Sequence, residues 1–235
     1  MTFTHRFRDI FSGFFSLLYP KLCVNCSNVL QEGEGDLCTA CMIKLPRTRL
    51  HEVAGNEIES RFYGKVDIAC ASAFLYFEKG NMTQHILHAI KYHGNTRLAE
   101  QMGGYFGGEL QGGRFATADM LIPVPLHPKK LKLRGYNQSE CICNGIGRVL
   151  GIPVITTVLY RTVANATQTK KSRMERWQNV QGIFKAHNTD IVEGKHIIIV
   201  DDVLTTGATL EACIHAFDNI KDLKISVLAL AAAVN

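Results

Sequence analysis

Two adjacent carboxylates, Asp201 and Asp202, follow an unbroken apolar run and lead into a short segment of small and hydroxylated residues. The stretch is HIIIVDDVLTTGATL, residues 196–210. Small residues let main-chain N–H groups close around an anion, hydroxyls add donors, and a helix start adds a favourable dipole. Two such acids are costly unless they accept hydrogen bonds or face a cation. The stretch can therefore hold a phosphate in its loop and a diol on its carboxylates, as ribose 5-phosphate would require.

A plain strand–turn–helix corner, with Thr205 or Thr206 as the helix N-cap, is the simpler alternative. It accounts for one hydroxyl, but for neither the second acid nor the run of small residues. The chain has no Walker A sequence and no G-x-G-x-x-G, which disfavours ordinary nucleoside triphosphate or dinucleotide binding.

A second stretch, LIPVPLHPKKLKLRGYNQSE, places a basic loop after an apolar strand. Its cations are Lys129, Lys130, Lys132 and Arg134. A basic loop at the end of a strand suits polyanions, and an arginine can bind one with two parallel hydrogen bonds. A solvated basic turn is the alternative.

The cysteines form two Cys-x-x-Cys pairs, Cys23 with Cys26 and Cys38 with Cys41. Two such knuckles complete a tetrahedral Zn²⁺ site, and four sulfurs leave no open position, so the site is expected to be structural. The ribbon between them is too small to fold alone, so metal binding would stabilise it. An iron–sulfur cluster or redox disulfides are the alternatives. The other cysteines are expected to be packing residues: Cys70, Cys141, Cys143 and Cys213.

Length and composition allow one sizeable α/β domain with a small appendage. The chain has 235 residues, of which 46% are hydrophobic and 20% charged, and its net charge is +5. Residues 1–20 suit an amphipathic helix that is too short to span a bilayer, so no integral membrane segment is expected. Eight cysteines without a signal peptide predict a reducing cytoplasmic location.

The pattern along the chain predicts the elements that position these residues. Helices are expected at residues 81–93, 96–110, 138–150 and 209–220, and a strand or hairpin at 67–77. Further strands are expected at MLIPVP, PVITTVLY, GIFKA, HIIIV and KISVLALAAAV. Alternating strands and helices indicate βαβ units, hence an α/β fold with a parallel sheet flanked by helices. Ligands of such sheets bind beyond the carboxyl ends of the strands.

The stretch IIIVDDVLTTGATL resembles the phosphoribosyl-pyrophosphate (PRPP) motif of the type I phosphoribosyltransferases. RGYNQ, AIKYHGN and the segment RTVANATQTKKSRMERWQNVQGIF further resemble the ComF competence-protein family, a branch of that superfamily. The resemblance implies that Asp201 and Asp202 contact the ribose hydroxyls and act in catalysis. It implies that the 5′-phosphate is held by Thr205, Thr206, Gly207, Ala208 and Thr209.

The same resemblance implies the remaining parts of the site. Pyrophosphate with Mg²⁺ would be bound by Leu126, His127, Lys130 and Arg134. A flexible loop over the substrate would carry Lys170, Lys171 and Arg173. The expected domains are an N-terminal helix (1–20), a double-CxxC zinc ribbon (21–50) and a phosphoribosyltransferase-like α/β domain (60–235).

Three hypotheses about function follow from the residues and the resemblance. The first is a PRPP-dependent pentosyl transferase, with the acceptor undefined, acting in DNA uptake during natural transformation or in nucleotide metabolism. The second is a single-stranded-DNA-binding protein that reuses the pocket and works with the DNA-uptake machinery. The third is a PRPP-sensing regulator without turnover.

Overall fold

The computed structural model describes residues 20–162 and 182–234. A boundary between two compact units falls between Leu45 and Pro46. Most of the predicted N-terminal helix and the flexible-loop residues Lys170, Lys171 and Arg173 lie outside the described residues. In the part of the chain that the structure describes, no helix is long and apolar enough to cross a membrane.

The described part of the first unit, residues 20–45, is a small ribbon with few buried apolar side chains. Residues Leu22 and Val29 form an antiparallel bridge, and helix α1 spans Thr39–Ile43. Apart from three of its cysteines, the buried apolar side chains described in this unit are Leu37 and Leu45. So few buried side chains in residues 20–45 contribute little hydrophobic stabilisation, so a metal bound by the four cysteines would stabilise this ribbon.

The second unit is built on a four-stranded sheet in which every pairing is parallel. Its strands, in the order β1-β6-β5-β2, are β1 (Cys70–Phe77), β6 (Lys224–Ala233), β5 (His196–Leu204) and β2 (Met120–Pro123). A separate antiparallel pair is formed by β3 (Leu159–Arg161) and β4 (Phe184–Ala186). The helices described in this unit are α2 (Glu57–Ser60), α3 (Met82–Tyr92), α4 (Thr96–Leu110), α5 (Pro128–Arg134), α6 (Gln138–Leu150) and α7 (Ala208–His215). Short 3₁₀ turns lie at Leu50–Glu52 and Thr189–Ile191. The predicted α/β fold with a helix-flanked parallel sheet is confirmed.

The two central strands form the core of this unit. The apolar residues 197–200 of β5 and 227–232 of β6 are fully buried, as expected for strands covered on both faces. The register pairs Asp201 of β5 with Ala229 of β6, and Pro123 at the end of β2 with Val200. The carboxyl ends of β2, β5 and β6 therefore lie side by side at one edge of the sheet.

The predicted limits of helices α3 and α4 agree closely with the structure because their ends carry local signals. The side chain of Asn81 accepts a hydrogen bond from the amide of Gln84, and that of Asn95 accepts one from the amide of Leu98. Gly94, between the two helices, has φ +68°, a left-handed conformation that favours glycine.

Glycines in α4 and α6 allow the two helices to approach closely. A Cβ placed on Gly103 would lie 2.2 Å from the main-chain oxygen of Ile142, and one on Gly145 would lie 2.0 Å from that of Glu100. The glycines that weaken α4 as an isolated helix therefore have a tertiary role: they remove the side chains that would keep the helices apart.

Two expectations differ from the structure. The predicted strand PVITTVLY is interrupted: Val154 bridges to Leu121 at the sheet edge, threonines 156 and 157 are exposed, and Leu159 and Tyr160 pair with β4 instead of the main sheet. The predicted basic loop forms helix α5, because Pro128 sits at its first turn, the His127 side chain caps its start, and Gly135 ends it at φ +81°.

Candidate functional site

Both aspartates of the motif lie inside the last residues of β5, and both are buried. The side-chain oxygen Oδ1 of Asp201 accepts hydrogen bonds from the Ser139 hydroxyl (3.2 Å) and from the main-chain amide of Asp202 (2.8 Å). Helix α6 therefore contributes to the site through its first turn. These bonds fix the Asp201 carboxyl at the sheet edge before any ligand arrives.

Burial dominates the electrostatics of Asp201. Desolvation, followed by repulsion from the neighbouring Asp202 carboxylate, raises the pKa of Asp201 to about 7, and the two hydrogen bonds and the charge of Lys91 oppose the rise. A carboxyl group with this pKa is partly protonated near neutral pH. The site consequently carries less negative charge than two aspartates suggest.

Asp202 forms an ion pair that the sequence did not predict. Its Oδ1 lies 3.0 Å from Nζ of Lys91, at the end of α3. Its other oxygen, Oδ2, is buried and has no hydrogen-bond partner among the described residues. A buried carboxylate oxygen without a partner is unfavourable. Oδ2 could therefore accept a hydrogen bond from a ligand hydroxyl or bind a cation.

The phosphate-type loop connects β5 to α7 and remains open. Gly207 precedes α7 with φ +87°, and the Thr206 hydroxyl accepts a hydrogen bond of 3.4 Å from the amide of Ala208. The loop encloses a cavity of about 40 Å³. It is lined by Asp201, Val203, Leu204, Thr205, Thr206, Gly207, Ala208, Thr209 and Leu210. The predicted phosphate-loop residues are thus brought together around one small cavity at a helix start.

Arg61 holds this loop through hydrogen bonds to main-chain oxygens, and the sequence did not predict this role. Its guanidinium donates to the main-chain oxygens of Thr205 (2.6 Å), Ala233 (2.7 Å) and, more weakly, Leu204 (3.4 Å). The ring of the adjacent Phe62 lies 3.4 Å from where a Cβ on Gly207 would stand. No local pattern in residues 57–62 could reveal these contacts, because their partners are far away in sequence.

A larger cavity, of about 210 Å³, opens beside the two aspartates. It is lined by Lys91, Tyr92, Val124, Pro125, Leu126, Lys130, Arg134, Gln138, Arg161, Asp201, Asp202 and Thr209. Four cations and two acids face this space, so it favours an anion. Of the residues expected to bind pyrophosphate, Leu126, Lys130 and Arg134 line the cavity, whereas His127 caps α5 through its Nδ1 atom.

The segment between α5 and α6 is tied to α3. The Tyr136 hydroxyl donates to the main-chain oxygen of Ile90, and the Arg134 guanidinium donates to the side-chain oxygen of Gln138. The Arg134 guanidinium also lies 5.8 Å from the centre of the Tyr92 ring, which is 68% exposed. These contacts hold Arg134 at the mouth of the larger cavity.

The four cysteines of the first unit form a cluster of the predicted composition. The sulfurs of Cys23, Cys26, Cys38 and Cys41 all lie within 4.8 Å of one another, and Cys26 and Cys38 are 3.7 Å apart. A tetrahedral Zn²⁺ site with bonds of about 2.3 Å requires sulfurs separated by about 3.8 Å. The Asn25 side-chain amide donates to the Cys41 sulfur (3.3 Å) and the Cys38 amide to the Cys23 sulfur (3.4 Å). Such donors orient metal-bound thiolates, so the cluster fits a metal such as zinc.

The other four cysteines are buried in the second unit, as expected of packing residues. They are Cys70, Cys141, Cys143 and Cys213. Burial raises the pKa of the Cys141 thiol to about 11 and that of Cys143 well above its ordinary value. These thiols are therefore protonated and unreactive at neutral pH.

This chain is similar to proteins of two kinds: those with a phosphoribosyl transferase domain, and those named for DNA utilization or competence. A family model described as a phosphoribosyl transferase domain matches residues 144–233. The DNA utilization protein YhgH of Escherichia coli O157:H7 is 27% identical over 215 residues, covering 83% of this chain and 89% of that protein. Competence protein ComFC of Bacillus subtilis (strain 168) is 26% identical over 196 residues, covering 83% and 77%. The solved glutamine PRPP amidotransferase of B. subtilis is 18% identical and covers 62% of this chain and 30% of that chain, with a TM-score of 0.44.

Proposed function

We propose that this chain, which belongs to the ComF branch of the phosphoribosyltransferase superfamily, binds PRPP at the carboxyl edge of its sheet. One observation carries the proposal: the open loop cavity and the cation-lined cavity share Asp201 and Thr209, and Asp202, which lines the cation-lined cavity, has a buried oxygen without a partner among the described residues. A pentose with a phosphate at one end and a pyrophosphate at the other needs these three features in this order.

Each part of PRPP has a matching part of the site. The 5′-phosphate is held by the loop residues 205–209 and the start of α7, where main-chain N–H groups and hydroxyls are donors. The ribose hydroxyls donate to Asp201 and to Oδ2 of Asp202. The pyrophosphate lies in the larger cavity, near Lys130 and Arg134.

The reaction that this arrangement supports is pentosyl transfer. A nitrogen nucleophile forms a bond to C1 of the ribose while the bond from C1 to the pyrophosphate oxygen breaks, and pyrophosphate leaves with both bonding electrons. Asp202 lies where its charge stabilises the positive charge that develops on the sugar. Oδ2 of Asp202, which has no hydrogen-bond partner among the described residues, is a hard oxygen that would hold Mg²⁺, and the metal would neutralise pyrophosphate charge.

Binding of PRPP in the presence of Mg²⁺, measured by calorimetry, tests the proposal. The double variant Asp201→Asn/Asp202→Asn should lose this binding, while the exposed Asp190→Asn, a matched control, should keep it. Unchanged affinity in the double variant would refute the placement of the site.

The cysteine cluster is proposed to hold one structural Zn²⁺. The donor set and the 3.7 Å sulfur separation support this assignment. With four thiolates bound, the metal has no open position for a substrate, so its contribution would be the folding of the ribbon.

The biological setting is proposed to be DNA uptake or nucleotide metabolism in the cytoplasm. The relatives named a DNA utilization protein and a competence protein support a role in DNA uptake, with the uptake machinery as a partner. A PRPP-sensing regulator would use the same pocket without turnover. Product formation from PRPP and a panel of bases distinguishes an enzyme from a regulator.

Single-stranded DNA binding is the second candidate function, and helix α5 favours it. Every residue of this helix is at least partly exposed, and it combines the cations Lys129 and Lys132 with Leu133, which is 90% exposed. The exposed ring of Tyr92 next to Arg134 offers a surface on which a base can stack. Removing both lysines (Lys129→Gln/Lys132→Gln) should flatten the plot of log affinity against log salt by about 1.4. An unchanged slope would exclude α5 from a DNA interface.

A further inference from the structure

We infer that Lys91 is a ligand-binding residue whose ammonium group contacts the pyrophosphate while it neutralises Asp202. This inference rests on the proposed function. It names a residue of the same site that lies in AIKYHGN, outside both the PRPP motif and the basic stretch LIPVPLHPKKLKLRGYNQSE. Lys91 lies one residue before the end of α3, and its Nζ is 3.0 Å from Oδ1 of Asp202.

The position of the ammonium group leaves it accessible to a ligand. Its side chain is 24% exposed and lines the larger cavity, whereas the side chain of Asp202 is only 8% exposed. An ammonium group has three donors, of which the bond to Asp202 uses one. Lys130 and Arg134 line the same cavity.

Lys91 reduces the negative charge that the two aspartates bring to the larger cavity. A polyanion that enters the larger cavity approaches two acidic side chains, and their repulsion opposes binding. Lys91 neutralises one of these two acids, because its Nζ lies 3.0 Å from Oδ1 of Asp202. Without Lys91, the pyrophosphate would meet an unpaired carboxylate.

Lys91 differs from Lys130, another cation of the cavity, in how firmly its side chain is held. Lys130 is exposed on α5 and must be immobilised when a ligand binds, which costs conformational entropy. Lys91 is already fixed by a buried carboxylate. A donor that is fixed before the ligand arrives contributes more to binding than a mobile one.

The location also predicts which part of PRPP depends on Lys91. It lines the cavity beside Lys130 and Arg134, but it does not line the small cavity inside the loop of residues 205–209. Binding of pyrophosphate should therefore depend on Lys91, whereas binding of the 5′-phosphate should depend mainly on the loop.

The test is calorimetry of the full chain with three probes, each with Mg²⁺: PRPP, inorganic pyrophosphate and ribose 5-phosphate. Lys91→Met should lower the affinity for PRPP and for pyrophosphate by about tenfold or more. Its affinity for ribose 5-phosphate should change by less than about threefold. Lys91→Arg should recover most of the loss. Lys221→Met, an exposed lysine that lines neither cavity, should bind all three probes like the wild type.

The outcomes separate this inference from the proposed function. If the wild type binds PRPP and Lys91→Met binds pyrophosphate equally well, the role of Lys91 is refuted and the pocket stands. Equal weakening of all three probes, with a lowered melting temperature, would show a structural role and would also refute it. If the wild type binds none of the probes, the proposed function and this inference both fail.

Discussion

The guanidinium of Arg61 donates a hydrogen bond of 2.6 Å to the main-chain oxygen of Thr205, 144 residues further along the chain. Its second terminal nitrogen donates to the main-chain oxygen of Ala233, at the end of β6. One side chain thus joins the first residue of the phosphate-type loop to the end of the neighbouring strand. The loop is held in shape by the protein itself, so a phosphate need not order it on binding.

Replacing Arg61 should therefore weaken both the fold and the binding of a phosphate. In Arg61→Met the carbonyls of Thr205 and Ala233 lose a charged donor, which should cost about 1–3 kcal/mol of unfolding free energy. Affinity for ribose 5-phosphate should fall about tenfold, because the loop must then be ordered by its ligand. Calorimetry and denaturant unfolding measure the two effects. The control Arg148→Met removes only an exposed pair with Glu100, and it should change neither quantity appreciably.

The raised pKa of Asp201 predicts a specific dependence of stability on pH. Because the pKa of about 7 lies above that of an unfolded aspartate, the folded state binds the extra proton between about pH 4 and pH 7. The stabilisation is complete below that range and is lost as pH rises towards 7, by up to about 1.4 kcal/mol per pH unit. Relative to Asp201→Asn, the wild type should thus lose unfolding free energy from pH 5 to pH 7 and level off above it. A parallel pair of curves would show that Asp201 titrates normally.

Paired glycine substitutions in α4 test the close contact with α6. Gly103→Ala would place a Cβ against the Ile142 carbonyl, and it should destabilise the protein by about 1–3 kcal/mol. Gly108→Ala meets open space on the same helix, and it should stabilise by about 0.5–1 kcal/mol. Thermal or denaturant unfolding of the two variants decides the point. Effects of the same sign and size would contradict the described packing.

The cysteine cluster predicts one tightly bound zinc per chain. Elemental analysis of the purified protein should give a zinc-to-chain ratio near one, and Cys26→Ser should lower it because three thiolates hold the metal less well. Cys141→Ala removes a buried cysteine outside the cluster and should leave the ratio unchanged. Iron with labile sulfide, or cysteines paired as disulfides, would contradict the zinc assignment.

The features that the sequence predicted well are those set by neighbouring residues. The buried run of β5, its two aspartates and the loop of residues 205–209 form one continuous stretch, and each part carries its own signal. The limits of α3 and α4 follow from the caps Asn81 and Asn95 and from Gly94. In these regions local propensity and tertiary structure agree.

The features that the sequence did not predict depend on partners far along the chain. Nothing near Lys91 indicates that its ammonium group pairs with Asp202, and nothing near Arg61 indicates the carbonyls that it binds. The predicted strand PVITTVLY is divided for a related reason: its β-branched residues suit a strand, but only Val154 bridges to the main sheet, and Leu159 and Tyr160 pair with β4. Tertiary contacts determine these features, and the spacing of neighbouring residues in the sequence does not indicate them.

A crystal structure of the full chain with ribose 5-phosphate, Mg²⁺ and pyrophosphate tests the central claim most directly. We expect the phosphate of the sugar within hydrogen-bond distance of the main-chain amides of residues 205–209, with a ribose hydroxyl on Oδ2 of Asp202. Sugar phosphate bound elsewhere at full occupancy, or an empty loop at saturating ligand, would contradict it.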